Sequence, residues 1–261
     1  MKKKAIRINT LKIEIDKLIK NLEDKGYILE KINYCDYGFF VNENGRNIAH
    51  EIEHWLGYFF IQDASSMLIP IILDAKKDDL ILDLCAAPGA KTTQIAQMME
   101  NNGCIVANDV REDRIKALSF NLERCGVLNT IVTMLDGVKF LKKCNIKFNK
   151  ILLDVPCSGT GVYEDVKITE NQIKRLTTLQ KALLKNSFNC LDKDGYVVYS
   201  TCSILKEENE DVIEYCIKKF GLETVEIKNF ERYNLKESFL ENTYRLEQPY
   251  QEKFFVCKLM K

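Results

Sequence analysis

The sequence predicts an α/β fold, a doubly wound, mostly parallel, seven-stranded Rossmann-like sheet over 56–261 with a small α+β module at 1–55. Three observations predict it. From Leu80 onward, short apolar runs alternate with amphipathic stretches, the βα rhythm of a parallel sheet. The run Leu80–Leu84 passes through a small-residue turn, Cys85-Ala-Ala-Pro-Gly-Ala-Lys91, and the chain then returns to helical spacing. Later runs reach Asp109, Asp136 and Asp154 at their carboxyl ends, the edge where such sheets bind ligands.

The bulk numbers bound the reading. A chain of 261 residues, 46% hydrophobic and 29% charged, holds one large domain, or one of moderate size plus a small one. Zero net charge gives no global field for a polyanion, so nucleic-acid binding would need a local basic face. The start, Met1-Lys-Lys-Lys-Ala-Ile-Arg7, lacks the apolar run of a signal peptide, and no long apolar run follows. A cytoplasmic protein with no membrane partner is expected. Ten cysteines with no Cys-x-x-Cys pair read mostly as small core residues rather than disulfides. His50 and His54 share a helical spacing but have no third ligand in view, so no metal is expected.

In chain order, Ile6–Leu11 reads as a strand, Ile13–Glu23 as an amphipathic helix, and Ile28–Tyr34 and Gly38–Val41 as short strands. The basic start and the aromatics Tyr27, Tyr34, Tyr37, Phe39 and Phe40 fit either RNA binding or packing onto the main domain. Asp63 or Ser65 is placed to cap the apolar helix Met67–Leu73. Strands follow at Leu80–Cys85, Cys104–Asp109, Thr130–Asp136, Lys150–Pro156, Gly195–Cys202, Glu223–Ile227 and Lys253–Met260. Helices between them are expected at 91–101, 111–124, 138–143, 170–191 and 206–220.

The turn after the first main-domain strand has the shape of a cofactor loop. A triphosphate cradle needs Gly at both positions held here by Cys85 and Ala90. A dinucleotide loop needs Gly-x-Gly-x-x-Gly, also absent. One glycine, Gly89, allows close approach without room for a pyrophosphate, which favours a nucleoside with a non-phosphate tail: S-adenosylmethionine. Asp109, about twenty residues on, is placed to accept from ribose hydroxyls, and Asp136 from the adenine amine. Each could instead cap the helix that follows it.

Two further strand ends carry thiols, in Asp154-Val-Pro-Cys157-Ser-Gly-Thr-Gly and Ser200-Thr-Cys202-Ser. Beside a methyl donor, a thiol has a specific use. Carbon 5 of a pyrimidine is not nucleophilic, but thiolate addition at carbon 6 makes it so. Asp154 would bond or protonate ring N3. A base must then remove the carbon-5 proton before the thiol leaves. Exocyclic-amine methylation would instead call for an aromatic where Cys157 stands.

These stretches, with Gln62-Asp-Ala-Ser-Ser66, Glu207-Glu-Asn-Glu210, Arg7-Ile-Asn-Thr-Leu-Lys12 and the closing Arg245…Pro249…Phe254, resemble the Nop/Sun family of RNA cytosine-5 methyltransferases over nearly the whole chain. The resemblance implies cofactor contacts at Cys85, Ala86, Ala87, Pro88, Gly89, Ala90, Lys91, Asp109, Arg114, Asp136 and Asp154. It also orders the thiols, with Cys202 as nucleophile and Cys157 assisting release, which the chemistry alone leaves open. Ala90 departs from the family's second glycine, Lys206 from a frequent proline and Tyr250 from a frequent histidine. A compact chain of this kind implies an RNA partner, tRNA first and ribosomal RNA second. The alternative is a catalytically silent RNA-binding assembly factor.

Overall fold

The computed structural model describes residues 3–163, 165–247 and 251–261, so Pro249 and Tyr250 lie outside the described residues. Strand β1 (Lys4–Ile8), helix α1 (Ile15–Asp24) and strands β2 (Ile28–Lys31) and β3 (Gly38–Asn42) open the chain. A short α2 (Ile52–Trp55) and β4 (Phe59–Ile61) complete an antiparallel sheet ordered β2-β3-β1-β4. Past the expected boundary at 55/56, Phe59, Phe60 and Ile61 pair with Ile8, Arg7 and Ile6. A three-residue strand is too short for its apolar pattern to reveal which sheet it joins.

The aromatics of this module turn inward. Tyr27 and Phe39 join Leu18, Leu22 and Phe59 in the core under α1, while Tyr34 packs on the opposite face against Met67 and Leu68 of α3 (Ala64–Leu73). Of the five aromatics that fit either an RNA surface or packing, Tyr27, Tyr34 and Phe39 are buried and Tyr37 and Phe40 half-buried, which favours packing. Arg7, fully buried, fastens the module to the main domain. Its guanidinium donates to Gln62 Oε1 at 3.0 Å, Thr93 Oγ1 at 2.6 Å and Gln97 Oε1. Asn9 adds bonds to the carbonyls of Gly57 and Cys125.

The main domain runs β5 (Leu80–Asp83), α4 (Ala90–Met98), β6 (Cys104–Asn108), α5 (Glu112–Cys125), β7 (Thr130–Thr133), α6 (Gly137–Lys143), β8 (Phe148–Asp154), α7 (Glu170–Ser187), β9 (Leu191–Thr201), α8 (Glu210–Phe220), β10 (Glu223–Val225), β11 (Lys236–Glu237), β12 (Thr243–Leu246) and β13 (Phe254–Met260). The sheet order is β11-β12-β13-β9-β8-β5-β6-β7, with β10 also paired to β13. Strands β5 to β9 pair in parallel, and β10 to β13 add antiparallel strands. All seven expected strands form. The hairpin β11–β12 makes nine, and its first strand of two residues is too short to show alternation.

Local chemistry sets the helix ends. Asp63 caps α3 by accepting from Ser65 N at 2.9 Å, and Thr169 with Gln172 forms a reciprocal capping box on α7. Gly126 and Gly221 end α5 and α8 in the left-handed conformation. Helices α3, α4 and α5 are successive neighbours, as are α6, α7 and α8. Buried clusters on β5, β8, β9 and β13 fill the space between these groups and the sheet. The chain leaves β5 toward β6 in one direction and β8 toward β9 in the other, so the topological switch point lies between β5 and β8. Ligands bind outside the carboxyl ends of the strands at such a point.

Candidate active site

Two clefts open at that edge. The first, about 540 Å³ with its open mouth included, is lined by Cys85, Asn108, Asp109, Asp136, Val138 and Pro156 among others. Its size falls within the roughly 300–1,000 Å³ of small-molecule sites. The second, about 500 Å³, is lined by Ser65, Ser66, Lys91, Asp154, Cys202 and Glu252 among others.

The loop 85–89 is bolted in place. Ala86 N donates to Asn108 O at 2.8 Å, and the guanidinium of Arg114 donates to Ala87 O. Gly89, at φ 104°, starts α4 in a conformation that an L side chain resists. A Cβ there would also sit 2.9 Å from Leu118. Ala86 and Ala87 pack with Ala107, Leu118 and Leu122, so their side chains face the helix layer and not the cleft. Pro88 is exposed and Ala90 half-buried, and neither is among the residues lining the cleft. Burial holds the Cys85 thiol well above its usual value, which keeps it neutral.

Asp109 is 3% exposed, and its Oδ1 accepts from Arg111 N. Among the described residues its Oδ2 has no hydrogen-bond donor, only the Arg114 guanidinium at 3.4 Å. A buried carboxylate oxygen with spare acceptor capacity is what ribose hydroxyls require. Asp136 lines the same cleft, but its Oδ1 accepts from Lys139 N at 2.9 Å and caps α6, so capping and lining coincide in one side chain. These residues fit S-adenosylmethionine: Asp109 and Asp136 would hold its donors, and Leu179 and Leu183 offer it an apolar wall.

Lys91 and Asp154 stand elsewhere than the expected cofactor contacts. Both line the second cleft, beside Cys202, because Lys91 is the second residue of α4 and reaches across the switch point. Its Nζ lies 2.6 Å from Asp154 Oδ2, while Ser200 Oγ donates to Asp154 Oδ1 at 2.8 Å. Burial alone would push the Lys91 ammonium down, but Asp154 more than offsets this and raises it. Behind them, Asp83 accepts from Thr92 Oγ1 at 2.7 Å, and burial pushes its carboxyl up to about 7.

The two thiols meet. Cys157 Sγ and Cys202 Sγ are 3.0 Å apart. The hydrogen bond between the two sulfurs holds Cys202 below its usual value against the effect of burial, and the same bond, with burial, holds Cys157 well above. Cys202 is therefore the more readily ionised sulfur of the pair. Gly161 keeps the loops close: a Cβ there would lie 2.2 Å from Lys253 O and 2.9 Å from Cys202 O.

Asn108 was not legible as a site residue. It bonds to the carbonyls of Leu84 and Leu135 and accepts from Leu135 N and Thr133 Oγ1, tying three strand ends together. Its only sequence signal is its place before Asp109. His54 packs on Phe59, and among the described residues no group of three metal-ligating side chains forms.

A profile for 16S rRNA methyltransferase RsmB/F matches residues 70–260, and one for the N-terminal domain of 16S rRNA methyltransferase RsmF matches 1–64. The chain is 38% identical over 276 residues to ribosomal RNA small subunit methyltransferase F of Vibrio parahaemolyticus, covering 99% of this chain and 57% of that protein. For the Shewanella sediminis protein of the same name the figures are 41% over 235 residues, 86% and 49%. The chain thus spans about half the length of these curated relatives. A methyltransferase homolog from Pyrococcus horikoshii superposes with a TM-score of 0.88 at 35% identity, over 100% of this chain and 87% of that one. NSun6 from the same organism, solved with SFG, an analogue of S-adenosylmethionine, gives 0.90 at 25% identity, over 100% and 91%. With its sheet, its paired thiols and these matches, the chain belongs to the RsmB/F family of Nop/Sun-type RNA cytosine-5 methyltransferases.

Proposed function

We propose that this chain methylates carbon 5 of cytosine in RNA, with small-subunit ribosomal RNA as its substrate. The observation that carries the chemistry is the pair of cysteine sulfurs, 3.0 Å apart, with Cys202 lining the cleft of the Lys91–Asp154 ion pair. S-adenosylmethionine, when bound in the first cleft, supplies an electrophilic methyl group. Cys202 adds as thiolate to carbon 6, and the electron pair moves to carbon 5. The negative charge that develops on the ring is neutralised by a proton delivered to N3 through Asp154, which Lys91 Nζ, 2.6 Å away, resupplies while Ser200 holds the other carboxyl oxygen. After carbon 5 has taken the methyl group, a base takes its proton, the freed electron pair re-forms the carbon 5–carbon 6 double bond, Cys202 leaves carbon 6 with the electrons of the C–S bond, and N3 gives up its proton. Cys157, already bonded to the Cys202 sulfur, assists this release.

The names of the relatives favour ribosomal RNA over the tRNA-first order read from the sequence. The profile match over 1–64 and the pairing of Phe59–Ile61 with β1 support a unit ending near residue 64. The test incubates unmodified 16S rRNA, 30S particles and tRNA with methyl-labelled S-adenosylmethionine, then analyses nucleosides. Labelled 5-methylcytidine from ribosomal RNA is expected. Label confined to tRNA would overturn the substrate, and label on another nucleoside would overturn the chemistry.

A further inference from the structure

We propose that Glu208 is the positioning residue that holds the two thiols in register, and that it acts on product release. The inference rests on the reading of Cys202 as nucleophile and Cys157 as releasing thiol. Glu208 is fully buried in the short helical turn before α8. Its carboxylate grips the Cys157 loop from both sides. Oε1 accepts from Ser158 N at 3.0 Å and from Gln180 Nε2 at 3.0 Å, and Oε2 accepts from Ser158 N at 3.2 Å and from Ser158 Oγ. The same Gln180 amide donates to Pro156 O at 2.9 Å. Both peptide groups flanking Cys157 are therefore fixed through one carboxylate.

The other thiol hangs from the next residue. Asn209 accepts from Thr201 Oγ1 at 2.5 Å and donates to Ser203 O at 2.8 Å, bracketing Cys202. Ser158 Oγ and Ser203 Oγ, each directly after a catalytic thiol, are 3.0 Å apart. Tyr199 OH donates to Glu208 O at 2.7 Å and anchors the turn to β9. Consecutive residues thus set the separation of the two sulfurs. A carboxylate suits the place because it only accepts, and every partner aimed at it donates. An amide would turn an N–H toward Ser158 or Gln180 and push the Cys157 loop outward.

The test is Glu208→Gln in the full chain, read three ways. S-adenosylmethionine affinity should stay within about twofold of wild type, since no partner of Glu208 touches the Asp109 side of the first cleft. Steady-state turnover should fall roughly a hundredfold, as expected for sub-ångström misplacement of a reacting group, while single-turnover methyl transfer falls far less. A denaturant-resistant protein–RNA adduct should accumulate. Independently of RNA, the pH profile for iodoacetamide alkylation of Cys202 should move to higher pH, because the bond between the two sulfurs weakens. Unchanged turnover and an unchanged alkylation profile would overturn the proposal. So would parallel loss of cofactor affinity, which would mark a general structural role. Failure of wild type to form 5-methylcytidine would overturn the underlying reading, and the alkylation arm separates that failure from this one.

Discussion

The catalytic edge of the main sheet and the N-terminal module both contain tightly partnered buried polar groups, put to opposite uses. At the edge, Asp109 keeps an oxygen without a hydrogen bond among the described residues, and Cys202, its ionisation eased by the neighbouring sulfur, lines a cleft that opens to solvent. In the module, the fully buried Arg7 gives each of its three guanidinium nitrogens a partner, in Gln62, Gln97 and Thr93. The first arrangement leaves capacity for a ligand, and the second leaves none. For this pair of residues, the incompletely bonded group faces a ligand site and the fully partnered one docks two parts of the fold.

Substitutions on the two sides should therefore separate chemistry from stability. The largest expected effect is Cys202→Ala, which should lower methyl transfer by on the order of 10⁴-fold or more, with melting temperature and cofactor binding kept. Cys157→Ala should leave the first transfer measurable but accumulate a covalent RNA adduct on denaturing gels. An adduct trapped by the Cys202 variant instead would exchange the two roles.

On the module side, Arg7→Met should cost roughly 3 kcal/mol in denaturant unfolding, because three buried acceptors lose a charged donor. Rate per folded molecule should hardly change, and a loss of rate at full folding would break the comparison. Asp109→Ala should weaken cofactor binding by about 1–3 kcal/mol in calorimetry. Unchanged affinity would remove Asp109 from the cofactor site.

Asp83 tests the boundary between the two uses. Its carboxyl is raised to about 7 in the fold by burial, well above its unfolded value, so the native state binds the extra proton between those limits. Stability from this group is present at low pH and is lost as pH rises through about 7. Asp83→Asn should therefore raise the melting temperature more at pH 8 than at pH 5. An equal shift at both pH values would show that Asp83 is ionised throughout.

Strand-end loops were legible because a strand's length and direction fix where its last residues emerge. Asp109, Asp136, Asp154, Cys157 and Cys202 all follow parallel strands, so their spacing alone gathers them at one edge. Residues inside short strands or helices lack that anchor. Phe39 and Tyr34 looked equally suited to stacking on bases and to packing, and only the docking of α1 over Phe39 and of α3 over Tyr34 decided for packing. Lys91 read as part of the cofactor loop, yet the phase of α4 turns it toward Asp154.

By itself the sequence determined the βα rhythm, the turn that marks the cofactor loop, and the presence of two thiols and a carboxylate at one edge, all of which follow from local periodicity and chain order. The tertiary structure alone decided how those groups are partnered. The 3.0 Å contact that makes one sulfur a donor to the other, the division into two clefts, and the grip of Glu208 on Ser158 join residues far apart in sequence. How the loops beyond the strand ends sit against one another is set by packing between elements, and no pattern along a single strand records it.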